Sequence, residues 1–532
     1  MLSREWLCVV ALWSVGCAAR VSAEDAGDSG VDASQDRVVM SSDVVVPPPP
    51  RGGRGVVCTQ DSECESGLLC AAGPDVGHVC TLACRVESEC EPGERCVVDR
   101  PSDLPARSLC GLVDPGTGED GDQCTVNRDC SSNLCTAGAC QGLCATDATC
   151  ATGTRCLLTT GIRACGAEPV TSPRVDEFSI PTDTMSVDRP LERAFVLPAD
   201  AVSFALWVRD LEGRELIASI PRLVAPDGVA WIDGNAWTIV RDQPIRELLA
   251  QLQINTVLAP SSDRLAILPG RYRYFAGLYN DRDPMTSVRT RRSEIVLRVK
   301  RAPGARLPAT GNLRVRFYFA PGVAVTAATA PTNARLRDAV VGMTRAYQAV
   351  GIALTISGYS DLSGADAARF SVIDSREEID EMFERRSSER ADEVSVFFSR
   401  SIASAAGLSG AIGVAGDIVG PTGVQGTRHS GVVIGWDSTL NGGGARDLLS
   451  NTLTHEVGHY LGLWHTREQQ SPCTTPMQMD CAPFGGVDPI SDTATDNAGA
   501  SRNTMYWQAA PGNLTLSAGQ GTVLRGNVVI TH

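Results

Sequence analysis

Eleven consecutive residues, His455-Glu456-Val457-Gly458-His459-Tyr460-Leu461-Gly462-Leu463-Trp464-His465, spell HExxHxxGxxH, and three of the chain's six histidines fall in this window. On a helix, positions i and i+4 share a face, so His455 and His459 can point at one ion. Glu456 sits one residue round and can face the same cavity. Gly462 falls where the helix must stop. Glycine tolerates a positive φ, so the chain can turn sharply there and bring His465 back as a third ligand. Three nitrogen ligands leave a position at zinc open for water, which is the pattern of a catalytic site. Such an ion lowers the pKa of water towards ~7, and Glu456 is placed to act as general base. Five fixed positions would occur by chance in roughly one chain of this length in several thousand, whereas a lone HExxH is far weaker.

The elements that must hold these residues belong to a chain of 532 residues, a length that predicts three or four domains. With 43% apolar and 20% charged residues it is mostly globular. A net charge of −15 argues against a nucleic-acid partner, which needs basic patches. No apolar run reaches membrane-spanning length. Residues 1–23 read as an export signal, with Arg4 before the apolar stretch Trp6 to Trp13. Two endings compete. Val21-Ser22-Ala23 resembles a signal-peptidase site. Ser14-Val15-Gly16-Cys17 resembles a bacterial lipobox with Cys17 as the lipidated residue, although Ser14 replaces the usual leucine. Residues 24–57, rich in Asp, Gly, Ser and Val and including Pro47 to Pro50, are expected from composition to be a disordered, partly stiff linker. Either ending places the protein outside the cytoplasm, secreted or lipid-anchored at the cell surface.

Cysteine usage agrees: of twenty cysteines, sixteen lie between 58 and 165. They form a repeat of two eight-cysteine modules, 58–112 and 122–167, each expected to carry four disulfides whose pairing is not readable from sequence. The modules are a spacer or bind a surface ligand that the sequence does not name. Residues 171–309 change to alternating stretches such as Ser203 to Val208 and Glu294 to Val299, which predict an accessory β-sandwich with one helix over 242–252. From 310 to 532 strands and helices alternate. Strands are expected at Leu313–Phe319, Ala353–Ile356, Val394–Phe398 and Gly431–Trp436, and helices at 333–350, 376–386 and 446–461. Cys473 and Cys481 bracket seven residues beyond the last histidine and are expected to pair as a disulfide.

HEVGHYLGLWH followed by Thr466 resembles the metzincin clan of zinc peptidases, most closely its pappalysin-type family. Asp488-Pro489-Ile490-Ser491-Asp492-Thr493 resembles that family's downstream Asp-Thr stretch. Asn503-Thr504-Met505 resembles its Met-turn, with Met505 beneath the metal, and Leu516 to Gln520 resembles the start of its closing helix. The resemblance covers 310–532. It implies an α+β metzincin-like zincin catalytic domain, preceded here by the β-sandwich and two small disulfide-rich modules. It also implies a zinc endopeptidase that hydrolyses a protein or peptide substrate by zinc-bound water activated by Glu456. The strand at 431–436 would be the edge strand lining the cleft. Related peptidases suggest calcium near Asp480, Asp488, Asp492 and Asp496; metal-free surface carboxylates are the alternative. His429, before that strand, is expected to be exposed or hydrogen-bonded rather than a ligand. One departure matters: Trp507 stands where metzincins often have a tyrosine that helps stabilise the oxyanion, and Tyr506 comes one residue early. That departure keeps open a second class, an inactive or latent surface-binding or adhesion protein with a retained zinc site.

Overall fold

The computed structural model describes residues 53–532 apart from internal stretches, the longest being 235–250, 280–289 and 469–485. The export signal with Cys17, most of the 24–57 linker, and Cys473, Cys481 and Asp480 lie outside the described residues. The chain is multidomain and β-rich, with several disulfide-rich modules.

Eight disulfides staple the first modules. Each eight-cysteine stretch divides into two smaller units, in which the first cysteine pairs with the third and the second with the fourth: Cys58–Cys70 with Cys64–Cys80, Cys84–Cys96 with Cys90–Cys110, Cys124–Cys135 with Cys130–Cys140, and Cys144–Cys156 with Cys150–Cys165. Polar side chains fix the turns. Asp61, Asn127 and Asp147 accept the backbone N–H of the third cysteine in their units. Glu63, Glu89 and Asp129 accept the N–H just after the first. These units have little apolar core, so covalent closure replaces it. Disulfides on this scale place the protein in an extracellular or exported compartment. No helix among the described residues is long and apolar enough to cross a membrane.

The last units dock on the next domain: the backbone N–H groups of Val196 and Arg271 donate to the carbonyls of Thr152 (2.7 Å) and Gly121 (2.8 Å). That domain consists of two antiparallel sheets built from strands between Arg174 and Arg301. One sheet runs Leu191–Leu197, Gly270–Tyr279, Ile217–Val224, Ala230–Asp233; the other runs Ile254–Ala259, Ala201–Asp210, Thr290–Arg301, Arg174–Ser186. Phe195, Phe204, Trp231 and Tyr272 pack between them. Of the expected helix over 242–252, Gln251–Leu252 is strand and the rest lies outside the described residues. The strand Ala201–Asp210 is buried on both faces: Phe204, Leu206 and Val208 point into the sandwich, while Ala205 and Trp207 pack against Val419 and Val528 of the following domain.

That following domain has a five-stranded sheet in the order Ile352–Asp361, Gly311–Phe319, Glu393–Ser399, Val432–Gly435, Gly413–Ala415. The first four strands are parallel and the last is antiparallel. Helix Ala334–Gln348 begins on Asn333, whose side chain accepts the N–H of Leu336. It packs against helix Leu449–Tyr460, and Tyr347 donates its hydroxyl to the Thr454 carbonyl at 3.2 Å. A helix at Arg376–Arg385 and a final one at Ala518–Gly526 complete the domain. One expectation is corrected: Val432–Gly435 is an interior strand, and the edge beside the ligand helix is Gly413–Ala415. Val432 to Ile434 are wholly buried, and a continuous apolar run is what a strand covered on both faces requires.

Candidate metal centre

Helix Leu449–Tyr460 carries His455, Glu456 and His459, all nearly buried. It ends in a Schellman motif. The N–H of Gly462 donates to the His459 carbonyl (2.8 Å), that of Leu463 to the Gly458 carbonyl (2.9 Å), and Gly462 has φ +105°. The turn reverses the chain and returns His465 to the helix face.

The three Nε2 atoms converge, at 2.9 Å (His455–His459), 3.0 Å (His459–His465) and 3.2 Å (His455–His465). Each Nδ1 is committed elsewhere: His455 to the Thr504 carbonyl (2.8 Å), His459 to the Leu463 carbonyl (2.7 Å) and His465 to Oε1 of Glu468 (2.8 Å). All three partners are acceptors, so they assign the proton to Nδ1 and leave the Nε2 lone pairs facing one another. Such a trio lacks any donor of its own and could hold a metal ion. Nitrogens at about 2.0–2.1 Å from a tetrahedral ion lie roughly 3.3 Å apart, close to these separations. Burial, with the His465 ring adding, pushes the His455 imidazole down to about 3, and burial pushes His459 well below its ordinary value. Both rings are therefore neutral, the form that binds metal.

Glu456 stands beside the trio. Burial pushes its carboxyl up to about 8, opposed by the backbone of Ala415 on the edge strand. Gly413 on the same strand lies so close that a Cβ there would come within 2.7 Å of Glu456 Cγ and of Thr452 Cγ2. Met505 is fully buried under the ligand helix, and a Cβ on Gly458 would meet its sulfur at 2.7 Å. Its turn is braced from both sides. The N–H of Thr466 donates to the Met505 carbonyl (2.8 Å), and Asn503 accepts the Met505 N–H (2.8 Å) while exchanging hydrogen bonds with Gln520 of the final helix.

The structure thus brings together His455, Glu456, His459, Gly462, His465 and Met505. Tyr506 donates its hydroxyl to Asn497 (2.8 Å), with Trp507 beside it. His429 is buried with Nδ1 at 2.9 Å from the Gly416 carbonyl, away from the histidine trio. Among the described residues the candidate calcium carboxylates do not converge as the histidines do. Asp496 caps a short helix through the Gly499 N–H, and Asp492 accepts from Ser517 and Gly519. Asp488 is buried, with Oδ2 lacking a hydrogen-bond partner. The cysteine clusters are all disulfide-bonded. Sequence reasoning missed Glu468 and the edge strand; an acid three residues past the last ligand was the signal available for Glu468.

No family model and no curated protein matches the chain. Among solved structures, the chain is similar to the infectious bursal disease virus VP2 subviral particle at 14% identity and a TM-score of 0.17, over 28% of this chain and 38% of that one. A family two carbohydrate esterase from Cellvibrio japonicus gives 8% identity and a TM-score of 0.12, over 34% of this chain and 52% of that one. The chain spans at most about half the length of either, and likenesses this slight carry no argument about fold or activity.

Proposed function

We propose that the chain is an exported zinc endopeptidase of the metzincin type, most like the pappalysin-type family, either free or lipid-anchored through Cys17. The observation that carries this reading is the convergence of three Nε2 lone pairs whose rings have spent every proton on Thr504, Leu463 and Glu468. His455, His459 and His465 would hold the ion; an all-nitrogen trio of this size suits zinc. When bound, zinc supplies the positive charge that polarises a scissile carbonyl and acidifies water.

The remaining chemistry belongs to the chain. Glu456, held between the histidines and the edge strand, takes the proton from the attacking water and delivers it to the departing amine. A nearby dication favours its ionised form, so the raised value belongs to the metal-free site. Gly413–Ala415 offers an extended substrate a strand to pair with, which would lay a peptide beside Glu456. The second reading, a binding protein with a retained zinc site, draws on the Tyr506 hydroxyl being engaged by Asn497.

The test is zinc content and cleavage of a mixed peptide library by the whole mature chain, with and without chelator, beside Glu456→Gln. The expected result is one zinc per chain in both proteins and chelator-sensitive cleavage only in the wild type. Turnover surviving in Glu456→Gln would overturn the mechanism. Zinc without wild-type cleavage would favour the binding protein.

A further inference from the structure

Lysine occurs once in the 532 residues; the other 46 basic residues of the 47 Lys plus Arg are arginine. That lysine, Lys300, is fully buried. It lies on the sandwich strand Thr290–Arg301, yet its ammonium projects into the following domain. There Nζ donates to three backbone carbonyls, of Arg525 (2.6 Å), Asn527 (2.6 Å) and Ile530 (2.8 Å), with Nε2 of His532 at 3.3 Å. These carbonyls end the helix Ala518–Gly526 and begin the turn beyond it.

The residue type follows from the geometry. An ammonium has three donors in tetrahedral array and no acceptor, whereas a guanidinium is a flat fork. Only lysine satisfies three carbonyls that wrap one point. Burial pushes the Lys300 amine well below its ordinary range. The carbonyls and the negative end of the helix pull the other way, and three acceptors demand three N–H groups, so the charged form fits.

From Lys300 the contacts run to the metal centre. Asn527, whose carbonyl Lys300 binds, donates its side-chain amide to the Leu461 carbonyl (3.0 Å), the last residue before the Gly462 turn. Leu258 of the sandwich backs that turn: a Cβ on Gly462 would lie 3.0 Å from its methyl. Trp207, Leu258 and Val296 pack against Val419 and Val528. Ser203 donates to the Gly526 carbonyl, Gln253 accepts the Arg428 N–H (3.1 Å), and Asp263 accepts from Ser491.

We propose that the β-sandwich is a permanent structural half of the metal centre, with Lys300 as a positioning residue that acts through Asn527 and Leu461 on the turn carrying His465. The sandwich is then neither a detachable pro-segment nor a passive spacer, and residues 310–532 alone would hold the metal weakly. This rests on the zinc reading only where metal is measured.

Two measurements on the whole mature chain test it. In the first, a specific protease site is placed in the exposed connector at residues 303–306, and the protein is cut and treated with an amine-reactive reagent. The halves should stay together, and Lys300 should remain unlabelled until denaturant is added. Halves that part in native buffer, or a Lys300 that reacts there like a free lysine, would overturn the proposal whether or not the protein binds zinc. In the second, Lys300→Met and Lys300→Arg are compared with wild type by chelator competition, below the temperature at which either variant begins to melt. Both should release zinc about tenfold more readily, the scale on which residues supporting metal ligands act. A lysine that only stabilised the fold would leave zinc affinity unchanged in the folded variants, and that result would overturn the positioning role. If the variants do not fold, the cut-and-label measurement still decides. A wild type that binds no zinc but passes the first measurement would sink the peptidase reading and leave the domain coupling standing.

Discussion

Replacing Gly462 by alanine should loosen the third ligand. The residue has φ +105°, beyond the left-handed helical region that other side chains occasionally visit. Holding alanine there costs about 1–3 kcal/mol. The new methyl adds little, because its nearest neighbour at 3.0 Å is the flexible tip of Leu258. Strain is therefore the dominant effect, and the chain can relieve it only by unwinding the turn and withdrawing His465. For a cooperative unit of about 220 residues, with an unfolding entropy of about 2.1 cal/mol/K per residue, that cost corresponds to a melting temperature lower by about 2–6 °C. Withdrawing one of three ligands should weaken zinc binding at least tenfold. Calorimetry with and without zinc reads the first effect and chelator competition the second. Gly462→Asn is the control: it adds the same Cβ but tolerates positive φ better, so it should fall between wild type and alanine. If Gly462→Ala melted and held zinc like wild type, the turn would not be what places His465.

Glu468→Gln keeps an acceptor for His465 but removes its charge, and zinc affinity should fall about 10–100-fold by competition with a chelator. Gly413→Ala sets a methyl within contact of Glu456 Cγ and Thr452 Cγ2; cleavage should slow by about 100-fold at unchanged zinc content, since small misplacements of a reacting group are costly. Asp488 is pushed up to about 7 by burial, with Asp492 and Asp263 adding and hydrogen bonds from Thr493 and Ile490 opposing. The folded protein thus keeps a proton that the unfolded chain sheds near pH 4. The associated stability is full at low pH and is lost as pH rises to about 7, at about 1.4 kcal/mol per pH unit. Asp488→Asn should therefore be more stable than wild type at pH 8 in calcium-free buffer and match it near pH 4, by urea unfolding. Calcium that abolished this difference by raising the wild type alone would place a cation at Asp488.

The histidine trio was legible because its geometry is local: i,i+4 spacing and a glycine stop define it within eleven residues. Met505 was legible through its order and its upstream Asn503, which the structure uses to hold the turn. The edge strand was not, because three residues, Gly413–Ala415, are too few to show alternation. The true signal lay in its neighbour, whose unbroken Val432-Val433-Ile434 run marks an interior strand. The sandwich was legible from stretches such as Ser203 to Val208, but the covered outer face of that strand was not: Ala205 and Trp207 are apolar there because another domain packs on them. The finer division of the cysteine modules was also written in the chain, as the near-repeat of Cys58-x5-Cys64-x5-Cys70 in all four units.

That interleaved pairing sets a problem for oxidation during export. As each unit emerges, its first two cysteines, such as Cys58 and Cys64, appear before either native partner, so the earliest bond available to them is a wrong one. The same arrangement confines the error. Every bridge of these four units closes within 10 to 20 residues, and none of them joins two units. Four cysteines have three pairings where eight have 105, so a misjoined unit needs only a local reshuffle. A disulfide isomerase should therefore speed maturation of each unit independently. A cysteine lost from one unit should strand a single thiol there and leave the oxidation of the other three undisturbed.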